Sequence, residues 1–149
     1  MITVRKVLQT KGGHVWRIAP QATAYDALQL MAERDIGALL VVDGEEIVGV
    51  FSERDYARKV ILKGRSSKVA SVGELMNSPV FYIEPDKTIE ECMALMTAKR
   101  MRHLPVLDHG RLLGMVSIGD VVNALITEQK VAITDLENYI TGGYVLEKA

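Results

Sequence analysis

The chain consists mainly of two copies of one unit, and this internal repeat limits its possible folds more than any other feature. Residues 15–58 align with residues 80–123 without a gap, at a constant offset of 65 residues. Twelve of the 44 aligned positions are identical, whereas composition alone would give about three. The match indicates a duplicated structural unit whose copies share one fold.

Each unit shows the same order of apolar patterns. In the first unit a strand is predicted over residues 15–18, and the Thr-x-x-acid box at Thr23 opens an amphipathic helix. Two apolar strands joined by a turn follow over residues 38–51, and a second helix begins after Ser52. Units of about 60 residues are marginal alone. We therefore expect an α/β (α+β) fold in which tandem β-α-β-β-α repeats pack sheet to sheet as one pseudo-two-fold module.

The same patterns divide the chain into three parts. The first repeat is expected over residues 1–64 and the second over residues 65–127, separated by a short polar linker. Residues 128–149 are expected to form a C-terminal helical extension and tail. The apolar positions over residues 121–140 have helical spacing, so one long helix is predicted there.

Composition excludes several classes of protein. The formal net charge is −1, so nucleic acid is not expected as a partner. The apolar runs are far shorter than the roughly 20 residues of a membrane span, and we expect a cytoplasmic protein without a membrane partner. The single cysteine, Cys92, gives no disulfide framework, and the three histidines show no zinc-ligand spacing, so no metal is expected.

Two motifs stand where a strand meets a helix. Gly49 and Gly114 each begin a Gly-x-x-Ser-x-x-Asp sequence that ends at Asp55 or Asp120. A helix N-terminus attracts phosphate, and a carboxylate accepts hydrogen bonds from the vicinal hydroxyls of a ribose. A ribonucleotide suits both demands. A Ser-x-x-Asp sequence is also a capping box, however, and spacing alone favours that interpretation.

The tandem repeat, the two Gly-x-x-Ser-x-x-Asp motifs and residues 102–106 (Arg-His-Leu-Pro-Val) together resemble a pair of cystathionine-beta-synthase (CBS) domains, or Bateman module. The resemblance covers about residues 1–127. It implies a regulatory module that binds an adenine nucleotide, such as AMP, ATP or NAD(H), in the cleft between the repeats. No catalytic cofactor is implied.

The resemblance implies a main nucleotide site centred on Asp120, whose carboxylate would hold the ribose. The other residues expected there are Lys11, His14, Trp16, Ile36, Gly37, His103, Val116, Ser117 and Gly119. Taken alone, Trp16 is more typical of a core side chain, and His103 of a half-buried polar residue.

A second site is implied at the equivalent place in the first repeat. The residues expected there are Ser52, Arg54, Asp55, Pro79, Val80, Met101 and Arg102. Met101 and Arg102 are bulkier than Ile36 and Gly37, their counterparts in the main site. We therefore expect the Asp120 site to hold the adenosine more tightly and the second site to take a phosphate tail or stay empty.

Three interpretations of function follow. The first is a ligand-sensing homodimer that regulates an unknown protein in trans. The second is a structural dimerisation domain whose Ser-x-x-Asp boxes only cap helices. An enzyme is the weakest interpretation, because the sequence shows no paired catalytic groups and Cys92 has the pattern of a small core residue. We expect no catalytic residues.

Overall fold

The computed structural model describes residues 1–128 and residue 146. Its elements in chain order are α1 (Val4–Lys11), β1 (Arg17–Ile18), α2 (Ala24–Arg34), β2 (Ala38–Asp43), β3 (Glu46–Ser52), α3 (Glu53–Tyr56), a π-helical turn (Ala57–Ile61), α4 (Val72–Leu75), α5 (Ile89–Lys99), β4 (His103–Asp108), β5 (Arg111–Ser117) and α6 (Ile118–Glu128). In this part of the chain no helix is both long and apolar enough to cross a bilayer. The helix predicted over residues 121–140 begins within α6, and its part beyond Glu128 lies outside the described residues.

Each repeat is built on an antiparallel hairpin, as the sequence predicts. Strands β2 and β3 pair with Leu39 opposite Phe51, and β4 and β5 pair with Leu104 opposite Val116. All four of these side chains are fully buried. The tandem fold with mixed helices and strands is therefore confirmed.

The first strand of each repeat differs from the prediction. Strand β1 is only two residues long and pairs in parallel with β2, while the strand predicted over residues 80–83 is reduced to a single bridge between Ile83 and Val106. The cause is Pro105. In the first repeat Leu40 N–H donates to the carbonyl oxygen of Trp16 at 3.0 Å, but Pro105 occupies the equivalent position and has no N–H to donate.

The helix caps also follow the predicted pattern. The hydroxyls of Thr23 and Thr88 accept from the backbone N–H three residues later, at 3.1 Å in both repeats. Helices α2 and α5 both end at a residue in the left-handed conformation, Asp35 and Arg100. The second helix of the first repeat is less regular than expected, because α3 continues into the π-helical turn.

The segment that precedes each repeat packs into the core of the other repeat. Val4, Val7 and Leu8 of α1 are buried with the apolar side chains of the second repeat. In the same way Val72 and Leu75 of α4 are buried in the core of the first repeat. The backbone matches this exchange, with isolated bridges between Thr3 and Thr88 and between Thr23 and Ser71.

The two sheets meet through a third, smaller core. Its buried members are Ala38, Leu40 and Val50 of the first sheet, and Leu112 and Met115 of the second sheet pack against them. This contact is the sheet-to-sheet packing that the sequence predicts, and it places the ends of β3 and β5 along one cleft.

The exchanged segments approach the sheets at glycines, which gives a test. A Cβ added at Gly114 would lie 2.8 Å from Leu8 Cδ2, so Gly114→Ala should displace the buried Leu8 side chain where α1 packs on β5. Because the end of a side chain can shift, we expect the free energy of unfolding to fall by about 1 kcal/mol, the low end of the range for overpacking. The measurement is chemical denaturation. Gly119→Ala is the control, because its nearest new neighbour is 3.7 Å away and alanine favours a helix. Equal stability of Gly114→Ala and the wild type would contradict this packing.

Candidate functional site

Both Ser-x-x-Asp motifs form helix caps at the predicted joints. Ser52 N–H donates to Asp55 Oδ2 at 2.8 Å, and Asp55 N–H donates to Ser52 Oγ at 3.2 Å. Ser117 and Asp120 form the same two bonds at 2.8 and 3.2 Å. The capping interpretation is therefore confirmed for both motifs, and any binding role would be additional to it.

The carboxylate of Asp55 is enclosed by the protein. Asn77 Nδ2 donates to both of its oxygens at 2.9 Å, and Ser52 Oγ donates to Oδ2 at 2.9 Å. Lys59 Nζ lies 3.5 Å from Oδ1, and only 9% of the Asp55 side chain is exposed. Neither oxygen is left for a ligand unless Asn77 moves.

The carboxylate of Asp120 has a more open environment. Lys11 Nζ donates to Asp120 Oδ2 at 2.6 Å and to the carbonyl oxygen of Met115 at 2.8 Å. Burial raises the pKa of Asp120, but hydrogen bonds from Lys11 and Ser117 outweigh it, so the pKa lies below its ordinary value. The side chain is 23% exposed. In the described residues each hydrogen bond to this carboxylate goes to Oδ2, so Oδ1 is open to a ligand.

Most of the main-site residues line one cavity of about 320 Å³, which we call the Trp16 cavity. It brings together seven of the predicted residues: Lys11, His14, Trp16, Ile36, Gly37, His103 and Ser117. The Trp16 side chain lines this cavity and also packs against the core of the first repeat. The guanidinium of Arg34 stacks 4.2 Å from its ring centre.

Three main-site residues lie elsewhere. Val116 is fully buried in the second core, so its side chain does not reach the Trp16 cavity, and Met115 lines the wall instead because strand neighbours face opposite sides. Asp120 lines an adjoining cavity of about 390 Å³ between α1 and α6, the Asp120 cavity, which shares Lys11 with the first. Gly119 lines neither cavity.

The second site forms a larger cavity of about 450 Å³, the Asp55 cavity. Five of the seven predicted residues line it, namely Ser52, Arg54, Asp55, Met101 and Arg102, whereas Pro79 and Val80 do not. Sequence reasoning missed Arg58, Lys59, Asn77, Lys99 and Arg100 in its wall. Helical spacing from Arg54 and Asp55 could have indicated Arg58 and Lys59.

Gly37 and His103 line both the Trp16 cavity and the Asp55 cavity. His103 Nε2 lies 3.7 Å from the position of a Cβ on Gly37, the distance of an ordinary van der Waals contact, so the imidazole lies beside Gly37. Burial and the charge of Lys11 lower the pKa of His103, while Asp120 and Asp55 act in the opposite direction. At neutral pH the His103 side chain is therefore a neutral imidazole, and it lies where the two cavities meet.

A metal site is not formed by the residues that the structure describes. Within residues 1–128 and at residue 146, no three His, Cys, Asp or Glu side chains stand close enough together to hold a metal ion.

Comparisons with known proteins agree with the observed fold. The model of the CBS domain family matches residues 4–62 and 72–127. The chain is 40% identical over 152 residues to the mitochondrial CBS domain-containing protein CBSX3 of Arabidopsis thaliana, a match covering 95% of this chain and 73% of that protein.

Solved structures give the same result. A protein with CBS domains from Burkholderia ambifaria MC40-6 is 51% identical, with a TM-score of 0.82 over 88% of this chain and 98% of that one. The hexameric CBS-CP12 protein from bloom-forming cyanobacteria is 26% identical, with a TM-score of 0.77 over 95% of this chain and 82% of that one.

The position of His103 predicts a dependence of stability on pH. Because its pKa is lowered in the folded state, the unfolded chain takes up the proton more readily. The contribution of His103 to the free energy of unfolding should thus be complete above pH 6.5, the ordinary pKa of a histidine, and should decline as the pH falls below that value. NMR titration of the imidazole should give a midpoint below 6.5, and His103→Gln should lose less stability than the wild type between neutral and mildly acidic pH. A midpoint above 6.5 would contradict the assignment.

Proposed function

The chain belongs to the CBS domain family, and on that premise we propose that it is a regulatory module that binds an adenine nucleotide, AMP, ATP or NAD(H), in the cleft between its repeats. The observation that carries the proposal is the difference between the two equivalent carboxylates. Asn77 donates hydrogen bonds to both oxygens of Asp55. Asp120 is partly exposed, and among the described residues its hydrogen bonds go to Oδ2 and leave Oδ1 available. A ribose hydroxyl can donate to that oxygen while the helix cap remains intact.

The two cavities beside Asp120 suit the two halves of a nucleoside. The Trp16 cavity has the aromatic and apolar walls that an adenine ring requires. Lys11 borders both the Trp16 cavity and the Asp120 cavity, so Asp120 lies close to the Trp16 cavity. In this arrangement the adenine occupies the Trp16 cavity, the ribose bonds Asp120, and the phosphate lies near Lys11 and His103.

A structural dimerisation domain is the second candidate, because both Ser-x-x-Asp motifs do cap helices. On that hypothesis Asp120 stabilises α6 and binds nothing. The two hypotheses differ in one observable, since a ligand that binds only the folded state must raise the melting temperature.

We also propose binding rather than catalysis as the role of this chain. The thiol of Cys92 is fully buried, and burial raises its pKa to about 11, so it is a protonated core side chain at neutral pH. The regulated protein would then act in trans, as an association partner of the module. The cytoplasmic location stays a prediction.

Nucleotide binding is tested with Asp120→Ala. We expect at least one of AMP, ATP, NADH and S-adenosylmethionine to raise the melting temperature of the wild type. Loss of the carboxylate should weaken that binding by about 1.5–3 kcal/mol, the value of a hydrogen bond to a charged group. Isothermal titration calorimetry measures the difference.

Asp26→Ala is the matched control, because it removes the equivalent acid from the capping box of α2, and Asp26 lines neither nucleotide cavity. Unchanged affinity in folded Asp120→Ala would refute the role in ribose binding. A wild type that responds to none of the four ligands would favour the structural candidate.

We further propose that the module is a homodimer. The second helix of each repeat carries exposed apolar side chains, among them Ile61 and Leu62 at the end of the first and Ile118 and Val122 on the second, which are 41–77% exposed. Exposed apolar groups on this helix of both repeats are a surface that a second copy could cover. The hexameric relative shows that a related fold can form oligomers.

Light scattering tests the dimer. The wild type should have twice the 16.5 kDa mass of one chain at micromolar concentration, and Val122→Asp should shift it toward the monomer. The control is Val69→Asp, since Val69 is 80% exposed but lies in the linker between the repeats. A monomeric or hexameric wild type would contradict the proposal.

A further inference from the structure

A cation lies against an aromatic ring at the same place in both repeats. In the first repeat the guanidinium of Arg34 lies 4.2 Å from the centre of the Trp16 ring. In the second repeat Lys99 Nζ lies 4.9 Å from the centre of the Phe81 ring. Each member of the second pair follows its counterpart by 65 residues, the offset of the repeat. The contact therefore belongs to the repeated unit, although neither residue is identical in the two copies.

Part of the role of both pairs is structural. Arg34 is the last residue of α2 and Lys99 is the last residue of α5, and a positive charge in the last turn stabilises a helix. Trp16 and Phe81 each pack against the core of their own repeat. To this extent the two copies do not differ.

Of these two pairs, only the first borders the equivalent cavity. Trp16 lines the Trp16 cavity, whereas Phe81 does not line the Asp55 cavity. Arg34 lines neither of them, so it contacts the indole without taking up space in the Trp16 cavity. A planar ligand in that cavity and the guanidinium can therefore contact the indole at the same time.

The indole of Trp16 is held from two sides. The ring centre of His14 lies 4.4 Å from that of Trp16, at an interplanar angle of 72°, and Arg34 lies over the face of the indole. Attraction between a cation and the face of an aromatic ring favours one orientation of the side chain. A side chain that already has its bound orientation loses less freedom when a ligand binds, and this increases affinity.

We propose that Arg34 is a positioning residue of the Trp16 cavity. It holds the indole of Trp16 in the orientation that stacks on a planar heteroaromatic base, and it does not itself contact the ligand. This inference rests on the proposed nucleotide binding and adds to it a residue that lies outside the cavity.

The first experiment titrates AMP calorimetrically into the full chain. Arg34→Met keeps a long apolar side chain but removes the charge. We expect it to weaken AMP binding by about two- to fivefold, the fold-change that corresponds to an exposed cation–aromatic contact. Arg34→Lys should retain most of the affinity, because an ammonium group is also attracted to the face of a tryptophan ring.

Lys68→Met is the matched control. Lys68 Nζ lies 5.4 Å from the ring centre of Tyr25, and neither residue lines the Trp16, Asp120 or Asp55 cavity. This variant loses a contact of the same kind and should bind AMP as the wild type does. Wild-type affinity in Arg34→Met, or equal weakening in Lys68→Met, would overturn the proposal.

A second measurement separates positioning from stability. Trp16 is the only tryptophan of the chain, so tryptophan fluorescence reports on this cavity alone. AMP should quench the emission of the wild type, and saturating AMP should quench Arg34→Met less, because the indole is no longer held in the stacking orientation. Full quenching of Arg34→Met at saturation would show that Arg34 only stabilises the fold, and would overturn the proposal.

Two outcomes distinguish the role of Arg34 from the site as a whole. A wild type that binds AMP with the same affinity as Arg34→Met would leave nucleotide binding in place and exclude positioning by Arg34. A wild type that binds none of AMP, ATP, NADH and S-adenosylmethionine would refute both the proposed function and this inference.

Discussion

The mutual exchange of short segments holds the module together. Leu8 lies against β5 and Leu75 is buried in the first core, so neither repeat has a complete core without chain from outside it. Glycines at equivalent places, Gly49 and Gly114, leave the space for these contacts. The sheet contact and the cleft follow from this exchange, because it fixes the positions of the strand ends that carry both aspartates.

The duplication preserves a backbone while allowing its two copies to diverge chemically. Lys59 lies within 3.5 Å of Asp55, and alanine stands at the equivalent position 124. Asn77 completes the bonding of Asp55, whereas Asp120 receives a single lysine from α1. The strand-to-helix junction at Asp55 is an enclosed helix cap beside a cavity lined by basic side chains. The junction at Asp120 has a carboxylate with one oxygen available, close to the wall formed by Trp16. The symmetry of the fold therefore does not extend to its binding properties.

Sequence reasoning identified the repeat, the hairpins and the helix caps, because each depends on local patterns that both copies preserve. It missed the loss of the strand before α5, which depends on a missing hydrogen-bond donor at Pro105 in a neighbouring strand. Seven of the residues predicted for the main site do line one cavity, but the prediction also included Val116, whose side chain faces the core. The bonds from Asn77 to Asp55 join residues 22 positions apart, and no sequence period indicates them. The ligand-binding roles of these residues stay predictions.

The segment exchange also orders events during protein synthesis. The first core needs no residue beyond Met76, so it can close once that residue has left the ribosome. Helix α1 precedes the rest of the module along the chain, yet its partners extend to Leu125 of α6. Its apolar side chains must therefore stay uncovered until the chain as far as Leu125 has been made. A segment made before the first core thus finishes its packing after that core has closed, and the Asp120 site, which uses Lys11, is completed only then.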